Sequence, residues 1–551
     1  MSETVSPIDA AAPDTPALTR TLLVTLAVIA ALAIVARAIP QPRTIDDAFI
    51  TFRYSRNIVD GNGFVYNPDE RTLGTTTPFF TALMAAIGWV TGSGSYPWFA
   101  LWVNAAADAC TAVLLALIAY RLSGKTILAA ILGGIWVISP MSVTFAVGGM
   151  ETSVVILWCV ATIYAYLHHW DRWMAVFAAL GILTRIDALI WVGPILAHHV
   201  LMHWRATRDT EETGWRYWLA RVPWQSWLIF GLVLAPWYLF SWTYFGTLIS
   251  RSLSAKRVAY AVPDLHALTR LLQHVATPFF EHLAFGVPGI VVGLVLYPGL
   301  AASGTLYASK RFPRLLPFLL YPWLYVIAFS IMNPLIFRWY LAPILPAYFL
   351  AILLGVWALS EAAATAAKRA RVAPGALAVA GTIFATLALN AWTLEPDHGP
   401  DRPAPQMAWH DIELNYKKMG EKLRSDYCVT ADTVVSAGDI GAVGYYSRAT
   451  ILDTVGLITP EMSEYYPLTE DLLQDDQNYA VPPDIIFDHE PEYIVFMEMF
   501  VRDGLMGDEL RQDFQALYDE VYVIPTDYYG DGMLLYQHVS ANACDIDSAA
   551  P

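Results

Sequence analysis

Two adjacent carboxylates, Asp46 and Asp47, stand at the start of a helical pattern just after the first hydrophobic segment. Apolar residues recur at helical spacing behind them, and basic and polar residues, Arg53 among them, fill the other face. A helix of this kind, beginning at a membrane surface, tends to lie in the interface plane. The acids would then suit a proton acceptor for a lipid-borne substrate. They could equally cap the helix, whose positive end favours acidic residues.

Other charged side chains are predicted on the same side of the membrane as this acidic pair. Basic residues in the outside loop 246–282 run against the usual charge distribution of membrane proteins. They are therefore candidates for binding a phosphate or an anionic lipid head group, and the alternative is a loop that simply lies on anionic lipid. Arg257 is among the basic residues of this loop, and the candidates that converge on this side are Asp46, Asp47, Glu151, Arg185, Lys256 and Arg338.

Two further polar features lie within hydrophobic segments. His199 and His203 have the spacing of metal ligands, but no carboxylate lies within a turn of them in sequence, so a metal site is not expected. Asp108 is an intramembrane acid, which makes it a functional candidate. A satisfied polar contact between helices is the alternative for Asp108.

Composition places these residues in a membrane protein. Hydrophobic residues make up 56% of the 551 residues and charged residues 15%, and apolar runs of near 20 residues recur. The part from Glu395 onward holds 31 of the 49 acidic residues but only 8 of the 33 basic ones. A basic membrane part, 20–394, and an acidic soluble part, 395–551, therefore divide near residue 394. The sequence has no polar domain with a cluster of basic residues, so nothing in it indicates nucleic-acid binding.

Hydropathy predicts eleven crossings, a disordered cytoplasmic tail at 1–19 and a first outside loop at 40–97. Pro78–Val90 is too short to cross and is expected to lie in the interface. If the N-terminus is inside, each loop predicted on the inside is short and basic, and the C-terminal part is outside. The predicted crossings are Thr21–Ile39, Trp98–Tyr120, Thr126–Phe145, Thr152–Leu167, Trp173–Thr184, Ala188–Leu201, Trp227–Phe245, Leu283–Leu306, Leu315–Met332, Trp339–Leu359 and Ala376–Trp392.

The acidic part reads as a small α/β domain outside the membrane. Helices are predicted at Met407–Ser425 and Asp508–Tyr518. Cys428 and Cys544 are its only cysteines, and the outside location predicts a disulfide between them. Short β-branched runs predict strands at Cys428–Ser436, Thr450–Asp453, Tyr493–Met497, Val521–Ile524 and Leu534–His538. The expected fold is thus an α-helical polytopic membrane protein with a C-terminal extracytoplasmic α/β domain.

Several of these stretches resemble the GT-C superfamily of polytopic glycosyltransferases, which use polyprenyl-phosphate sugars. The stretch from Asp46 through Tyr54 to Pro68 is similar to the first-loop signature of actinobacterial arabinofuranosyltransferases and related mannosyltransferases. The other matching stretches are Gly149-Met150-Glu151-Thr152, Thr184-Arg185, Phe245-Gly246 with Ala255-Lys256, Arg338-Trp339-Tyr340-Leu341-Ala342-Pro343, and Gly438-Asp439-Ile440-Gly441-Ala442-Val443-Gly444-Tyr445-Tyr446.

The resemblance implies an inverting transfer in which an Asp deprotonates the acceptor hydroxyl and basic side chains stabilise the departing lipid phosphate. Alignment favours Asp46 as the base, supported by Asp47. Several relatives carry a Lys just before Pro78, where this chain has Thr77, so the phosphate partners become Lys256 and Arg53. Relatives also often have Pro after the Arg that matches Arg185. The further residues that the resemblance draws into the site are Arg257, Arg338, Glu151, Arg185 and Tyr340.

The function that follows is transfer of an arabinofuranose- or mannose-like sugar at the outer face of the plasma membrane. The acceptor would be a glycan, a glycolipid or a protein of the cell envelope. No cofactor is expected beyond the lipid-linked donor, and a divalent metal stays an open alternative. A lipid-linked sugar flippase and a non-catalytic envelope scaffold are the rival functions. A flippase would favour charges near mid-membrane, and a scaffold would not need paired acids beside a basic loop.

Overall fold

The computed structural model describes residues 19–207, 222–280, 284–367, 372–393, 410–469, 472–473 and 477–541. The predicted tail and six of the basic residues that set the predicted topology (Arg208, Arg216, Arg221, Lys368, Arg369 and Arg371) lie outside these ranges. The helices of the first part are α1 Arg20–Ala38, α2 Asp46–Val59, α3 Pro78–Thr91, α4 Tyr96–Ser123, α5 Thr126–Ile138, α6 Pro140–Val147, α7 Thr152–Leu167, α8 Asp171–Thr184, α9 Leu189–Ala206, α10 Trp224–Phe245, α11 Ser252–Ala259, α12 His266–Ala276, α13 Gly286–Arg311, α14 Leu316–Met332, α15 Leu345–Ala367 and α16 Val372–Asn390.

Seven helical stretches of the described chain are long and apolar enough to span a membrane, or eight if α5 and α6, which are bent by 48°, form one span. Every predicted crossing coincides with a helix, but three of the eleven are not candidate spans: α7 and the described part of α16 belong to the shorter apolar helices, and α8 is in neither group. The predicted break between α8 and α9 is confirmed, with Ile186–Ala188 forming a short 3-10 turn there. The chain is thus a helical polytopic membrane protein.

An ion pair inside the membrane part joins α1 to α4. Arg37 Nε lies 3.0 Å from Asp108 Oδ2, and both side chains are fully buried. The Arg37 guanidinium also donates to Val137 O and to the Ser142 hydroxyl, and Ser153 donates to Asp108. Of the two interpretations of Asp108, the structure therefore supports the polar contact between helices, made through Oδ2, although its partner is Arg37 and not Asn104.

The C-terminal part is an α/β domain built on one mixed sheet. The strands run in the order β2-β1-β3-β5-β4, with β1 parallel to β2 and β3, and with β5 antiparallel to β3 and β4. All five predicted strands and both predicted helices are confirmed, with shifted ends. The elements are α17 His410–Asp426, β1 Val434–Ala437, α18 Gly441–Ser447, β2 Thr450–Asp453, α19 Pro483–His489, β3 Tyr493–Met497, α20 Arg511–Leu517, β4 Tyr518–Pro525 and β5 Gly532–His538.

The cysteines divide as expected between the two parts. Cys428 is disulfide-bonded, and Cys110 and Cys159 are free thiols. Cys544, the predicted partner of Cys428, lies outside the described residues.

Helix α2 is largely buried within the protein, whereas its sequence predicted a helix lying in the membrane interface. It packs against α18 of the C-terminal domain on one side and against α3 on another, and most of its side chains are buried. Phe49 contacts the rings of Tyr445 and Tyr446 on α18. The C-terminal domain covers the polar face of α2, because side chains on that face donate hydrogen bonds to acceptors of the domain. The first loop and the domain therefore form one packed unit around the acidic pair.

Candidate functional site

Asp46 begins α2 and holds the start of α18. Its carboxylate accepts hydrogen bonds from the backbone N–H groups of Gly441 (2.8 Å) and Ala442 (2.7 Å), one on each oxygen. Only 9% of Asp46 is exposed. A Cβ on Gly441 would collide with the Asp46 backbone and carboxylate, so only glycine permits this approach. Asp46 thus acts as a connection between the first loop and the domain.

The electrostatic surroundings of Asp46 oppose its ionisation. Burial raises the pKa of its carboxyl to about 8, the neighbouring Asp439 carboxylate adds to the effect, and the two backbone donors counteract it. Burial also raises the pKa of Asp439, whose Oδ2 accepts a hydrogen bond from the Tyr416 hydroxyl at 2.6 Å. Burial and the neighbouring acid therefore oppose ionisation of Asp46, whereas its two backbone donors favour it.

Asp47 lies in a more open environment and pairs with a cation. Its Oδ2 is 3.1 Å from Lys256 Nζ, and the two side chains are 27% and 23% exposed. Burial lowers the pKa of Lys256, but Asp47 together with Tyr340 and Tyr260 outweighs that effect, so the pKa lies above its ordinary value. The Lys256 ammonium also lies 4.8 Å from the centroid of the Phe337 ring. The pair joins an accessible carboxylate to a fixed positive charge.

Helix α11 positions Lys256 because it is tied to the first loop. The hydroxyls of Ser250 and Ser252 both donate to Gly74 O, and the backbone N–H of Arg251 donates to Leu73 O. These contacts lie one turn before Lys256, so they fix the start of its helix against the loop that follows α2.

Arg53, a candidate phosphate ligand, has a different environment from the predicted one. It is 1% exposed, and its guanidinium donates four hydrogen bonds to protein acceptors. Two of these acceptors, Gly444 O and Ala449 O, belong to the C-terminal domain. The other two, Tyr66 O and Asn67 Oδ1, belong to the first loop. Since its donors are committed in this way, Arg53 supports the domain contact and is not available to a phosphate.

Three of the remaining candidates meet in a second cluster. Arg185 forms an ion pair with Glu151 (3.0 Å) and a two-pronged one with Asp187 (3.0 and 2.9 Å). Its guanidinium lies 5.0 Å from the centroid of the Tyr340 ring. Electrostatic interactions of Tyr340 with both Lys256 and Arg185 link this cluster to the Asp47–Lys256 pair. The two clusters therefore adjoin across Tyr340.

The last two candidates, Arg257 and Arg338, lie on an exposed helix face and at a cavity. Arg257 follows Lys256 in α11 but is exposed on the other face of that helix. Arg338 lines a cavity with an empty volume of about 620 Å³, which includes open solvent. That cavity also receives Arg270 and His274 from α12 and Pro140 from α6. The structure therefore places Arg257 on the exposed face of α11 and Arg338 at the cavity beside α12.

Sequence reasoning did not single out Asp439 and Tyr416 as site residues. Asp439 lies in the Gly438–Tyr446 stretch, whose glycines were the available signal. Gly444 has the same restriction as Gly441, because a Cβ there would meet the Tyr66 hydroxyl and the Arg53 guanidinium. The spacing of these glycines marks the close approach of α18 to the first loop.

The described residues contain no group of three or more His, Cys, Asp or Glu side chains that could hold a metal ion. His199, one of the two histidines considered above, lies 3.4 Å from Asp171 and not beside a cluster of ligands. The site offers a carboxylate, Asp47, next to the ammonium group of Lys256.

The comparisons with known proteins agree with this architecture. The family model described as "Domain of unknown function (DUF8728)" matches residues 406–538. No curated protein matches the chain.

Solved structures do match nearly the whole chain. ArnT from Cupriavidus metallidurans bound to undecaprenyl phosphate is 13% identical, with a TM-score of 0.55, over 96% of this chain and 100% of that one. Its apo form is 12% identical, with a TM-score of 0.53, over 96% and 99%. The arabinofuranosyltransferase AftD from Mycobacteria is 15% identical, with a TM-score of 0.47, over 97% of this chain and 42% of that one. The chain therefore has the fold of ArnT.

Proposed function

We propose that this protein is a glycosyltransferase that moves a sugar from a polyprenyl-phosphate donor to a cell-envelope acceptor. The observation that carries the proposal is the ion pair between Asp47 and Lys256, partly exposed and held between the first loop and α11. The ArnT-like fold supports it, because an ArnT structure holds undecaprenyl phosphate. An arabinofuranose- or mannose-like donor is the proposed substrate, with a glycan, glycolipid or protein as acceptor.

In this mechanism Asp47 takes the proton from the acceptor hydroxyl as that oxygen attacks the anomeric carbon. The carbon–oxygen bond to the phosphate breaks on the opposite face, and the lipid phosphate leaves with the electron pair. Lys256 stabilises the negative charge on the departing phosphate. The pair would separate when the donor binds, since the phosphate replaces Asp47 as the partner of Lys256. Asp46 then acts as a positioning residue that holds α2 against α18.

The charged groups of the Arg185 cluster complete the proposed site. Arg185 is held by Glu151 and Asp187 and stacks near Tyr340. Because the Tyr340 ring lies 6.0 Å from the Phe337 ring, which Lys256 contacts, we assign this cluster to orienting Tyr340 at the donor side. Transport of the lipid is the rival function, and the ion pair of Arg37 and Asp108 speaks against it. These two charged side chains lie inside the membrane part, pair with each other and have no exposed surface.

The direct test is transfer by the purified protein in lipid nanodiscs. A panel of radiolabelled polyprenyl-phosphate sugars is supplied with envelope glycan acceptors, and products are separated from donor. We expect one donor to give a labelled acceptor and free polyprenyl phosphate. Movement of intact donor between leaflets of proteoliposomes, without cleavage of the sugar–phosphate bond, would instead identify a flippase.

Lys256→Ala should weaken donor binding by about 10- to 100-fold, since a hydrogen bond to a charged group contributes about 1.5–3 kcal/mol. The measurement is the dissociation constant for the polyprenyl-phosphate donor in nanodiscs. Binding by the wild-type protein should fall as salt rises, because the site is partly exposed and screened. Lys256→Arg, which keeps the charge, is the control and should retain most of the affinity. Equal affinity of the alanine variant and the wild type would remove Lys256 from the phosphate site.

We also propose that the protein crosses the plasma membrane eleven times, with its N-terminus in the cytoplasm. The first loop 40–97 and the domain 395–551 would then both lie outside the cell membrane. The C-terminal domain packs on the first loop, which requires the two to share a side. In a chain without Cys110 and Cys159, an impermeant thiol reagent should label Ser463→Cys in intact cells. It should label Lys310→Cys only after lysis. Labelling of Lys310→Cys in intact cells would reverse the orientation.

A further inference from the structure

Helix α11 has two faces of different character. The inner face carries Lys256 toward Asp47, and its remaining residues are buried. The outer face is open and combines apolar with basic side chains. Leu253 is 47% exposed and Val258 is 41% exposed, with the exposed Arg257 beside them. The buried residues of the inner face are Ser252, Ala255 and Ala259.

The segment that leads into α11 continues this outer surface. Gly246–Arg251 follows directly on α10, one of the candidate membrane spans, so it lies where the chain leaves the membrane. Leu248 and Ile249 are 45% and 56% exposed, and the side chain of Arg251 is exposed too. The sequence from Gly246 to Tyr260 contains no acidic residue. The surface therefore has a positive charge and apolar side chains next to a spanning helix.

We propose that this outer face of α11, with Leu248, Ile249 and Arg251 before it, docks on anionic phospholipid head groups of the adjacent leaflet. Leucine, isoleucine and valine side chains insert at the boundary between head groups and acyl chains, while guanidinium groups pair with phosphates above them. Within the described part of the chain, Arg251 and Arg257 form no side-chain ion pair or hydrogen bond, so both donors are free for lipid. Arginine suits this role because its planar fork binds phosphate with two hydrogen bonds.

This contact would act on the site because one short helix carries both faces. Lipid held on the outer face fixes α11 at the membrane surface and, with it, the position of Lys256 opposite Asp47. The proposal goes beyond the proposed function and does not depend on it, since the contact exists whether or not the protein transfers a sugar.

The test is hydrogen exchange of the backbone of residues 246–260 in the full-length protein. The protein is reconstituted in nanodiscs of phosphatidylcholine alone or with about a third of phosphatidylglycerol. Each arginine near an anionic surface contributes about 1 kcal/mol, so exchange should be about fivefold slower per arginine with phosphatidylglycerol. The double variant Arg251→Gln with Arg257→Gln should abolish that difference, and 1 M salt should do the same for the wild type.

A matched control removes the same charge elsewhere. Arg424→Gln with Arg448→Gln changes two exposed arginines of the C-terminal domain and should leave the lipid-dependent difference intact. Equal exchange of residues 246–260 in the two nanodiscs would overturn the proposal. So would a lipid-dependent difference that persists in the Arg251 and Arg257 double variant. The readout requires no substrate, so a failure to observe transfer leaves this test unaffected.

Discussion

Asp47→Asn should lower sugar transfer by about 10²–10⁴-fold while the protein still binds its donor. Asparagine keeps the shape of the side chain and a hydrogen-bonding oxygen but cannot accept the proton of the acceptor hydroxyl. Asp47 is the member of the acidic pair that has access to an acceptor, being 27% exposed beside Lys256. The measurements are the rate of labelled product formation and the dissociation constant for the polyprenyl-phosphate donor.

Asp46→Asn is the matched control, because the resemblance to known glycosyltransferases favours Asp46 as the base. Its two oxygens are occupied by the backbone donors of Gly441 and Ala442, so the amide should disturb the docking of α18 more than the chemistry. Faster exchange of α18 with a smaller loss of transfer is therefore expected. If Asp46→Asn abolishes transfer with α18 still protected, and Asp47→Asn retains it, the roles are reversed.

The dependence of the rate on pH separates the same two assignments. Burial raises the pKa of Asp46 to about 8, so a base at this position would become more ionised as pH rises through that value. Transfer would then increase between pH 7 and pH 9 by up to about tenfold. We expect no such increase, because Asp46 is not the group that accepts the proton in the proposed mechanism.

The sequence predicted the positions of elements better than the contacts between them. Helical spacing located α2 at Asp46, and β-branched runs located all five strands, because both signals are local. The polar face of α2 was interpreted as an interfacial surface, since a periodic pattern shows that a helix has two faces but not what covers each. Here the C-terminal domain, almost 400 residues further along, supplies Gly444 O and Ala449 O to Arg53.

The acidic pair shows the same limit at the level of single residues. Adjacent aspartates point in different directions on a helix, and nothing local distinguishes the one that meets backbone donors from the one that meets a lysine. The partner of Asp47 comes from α11 and the partner of Asp46 from α18, which are far apart in sequence. Motif spacing did bring Lys256 and the Gly438–Tyr446 stretch to attention, but their contacts follow from tertiary packing alone.

Arg53→Met should weaken the contact between the first loop and the C-terminal domain by about 3–5 kcal/mol. Methionine fills much of the same space but leaves the buried carbonyls of Gly444 and Ala449 without their Arg53 donor. The other two acceptors, Tyr66 O and Asn67 Oδ1, each keep a second donor. Exchange of the backbone amides of α18 should accelerate by roughly two orders of magnitude or more, which hydrogen exchange measures directly. Donor binding should change far less, because the guanidinium group does not reach the donor in the proposed site.

The matched control for this variant is Arg56→Met, one turn further along the same helix. Arg56 is half-buried, donates one hydrogen bond to Tyr445 O at 2.7 Å and stacks over that ring at 4.5 Å. Its loss should cost about 1 kcal/mol, so exchange in α18 should rise only about fivefold. Both variants lose one positive charge, so the difference between their exchange rates measures the effect of the buried hydrogen bonds of Arg53. If Arg53→Met instead left α18 protected and weakened donor binding, Arg53 would be a phosphate ligand, and the domain contact would have to rest on Asp46 and the aromatic packing of Phe49.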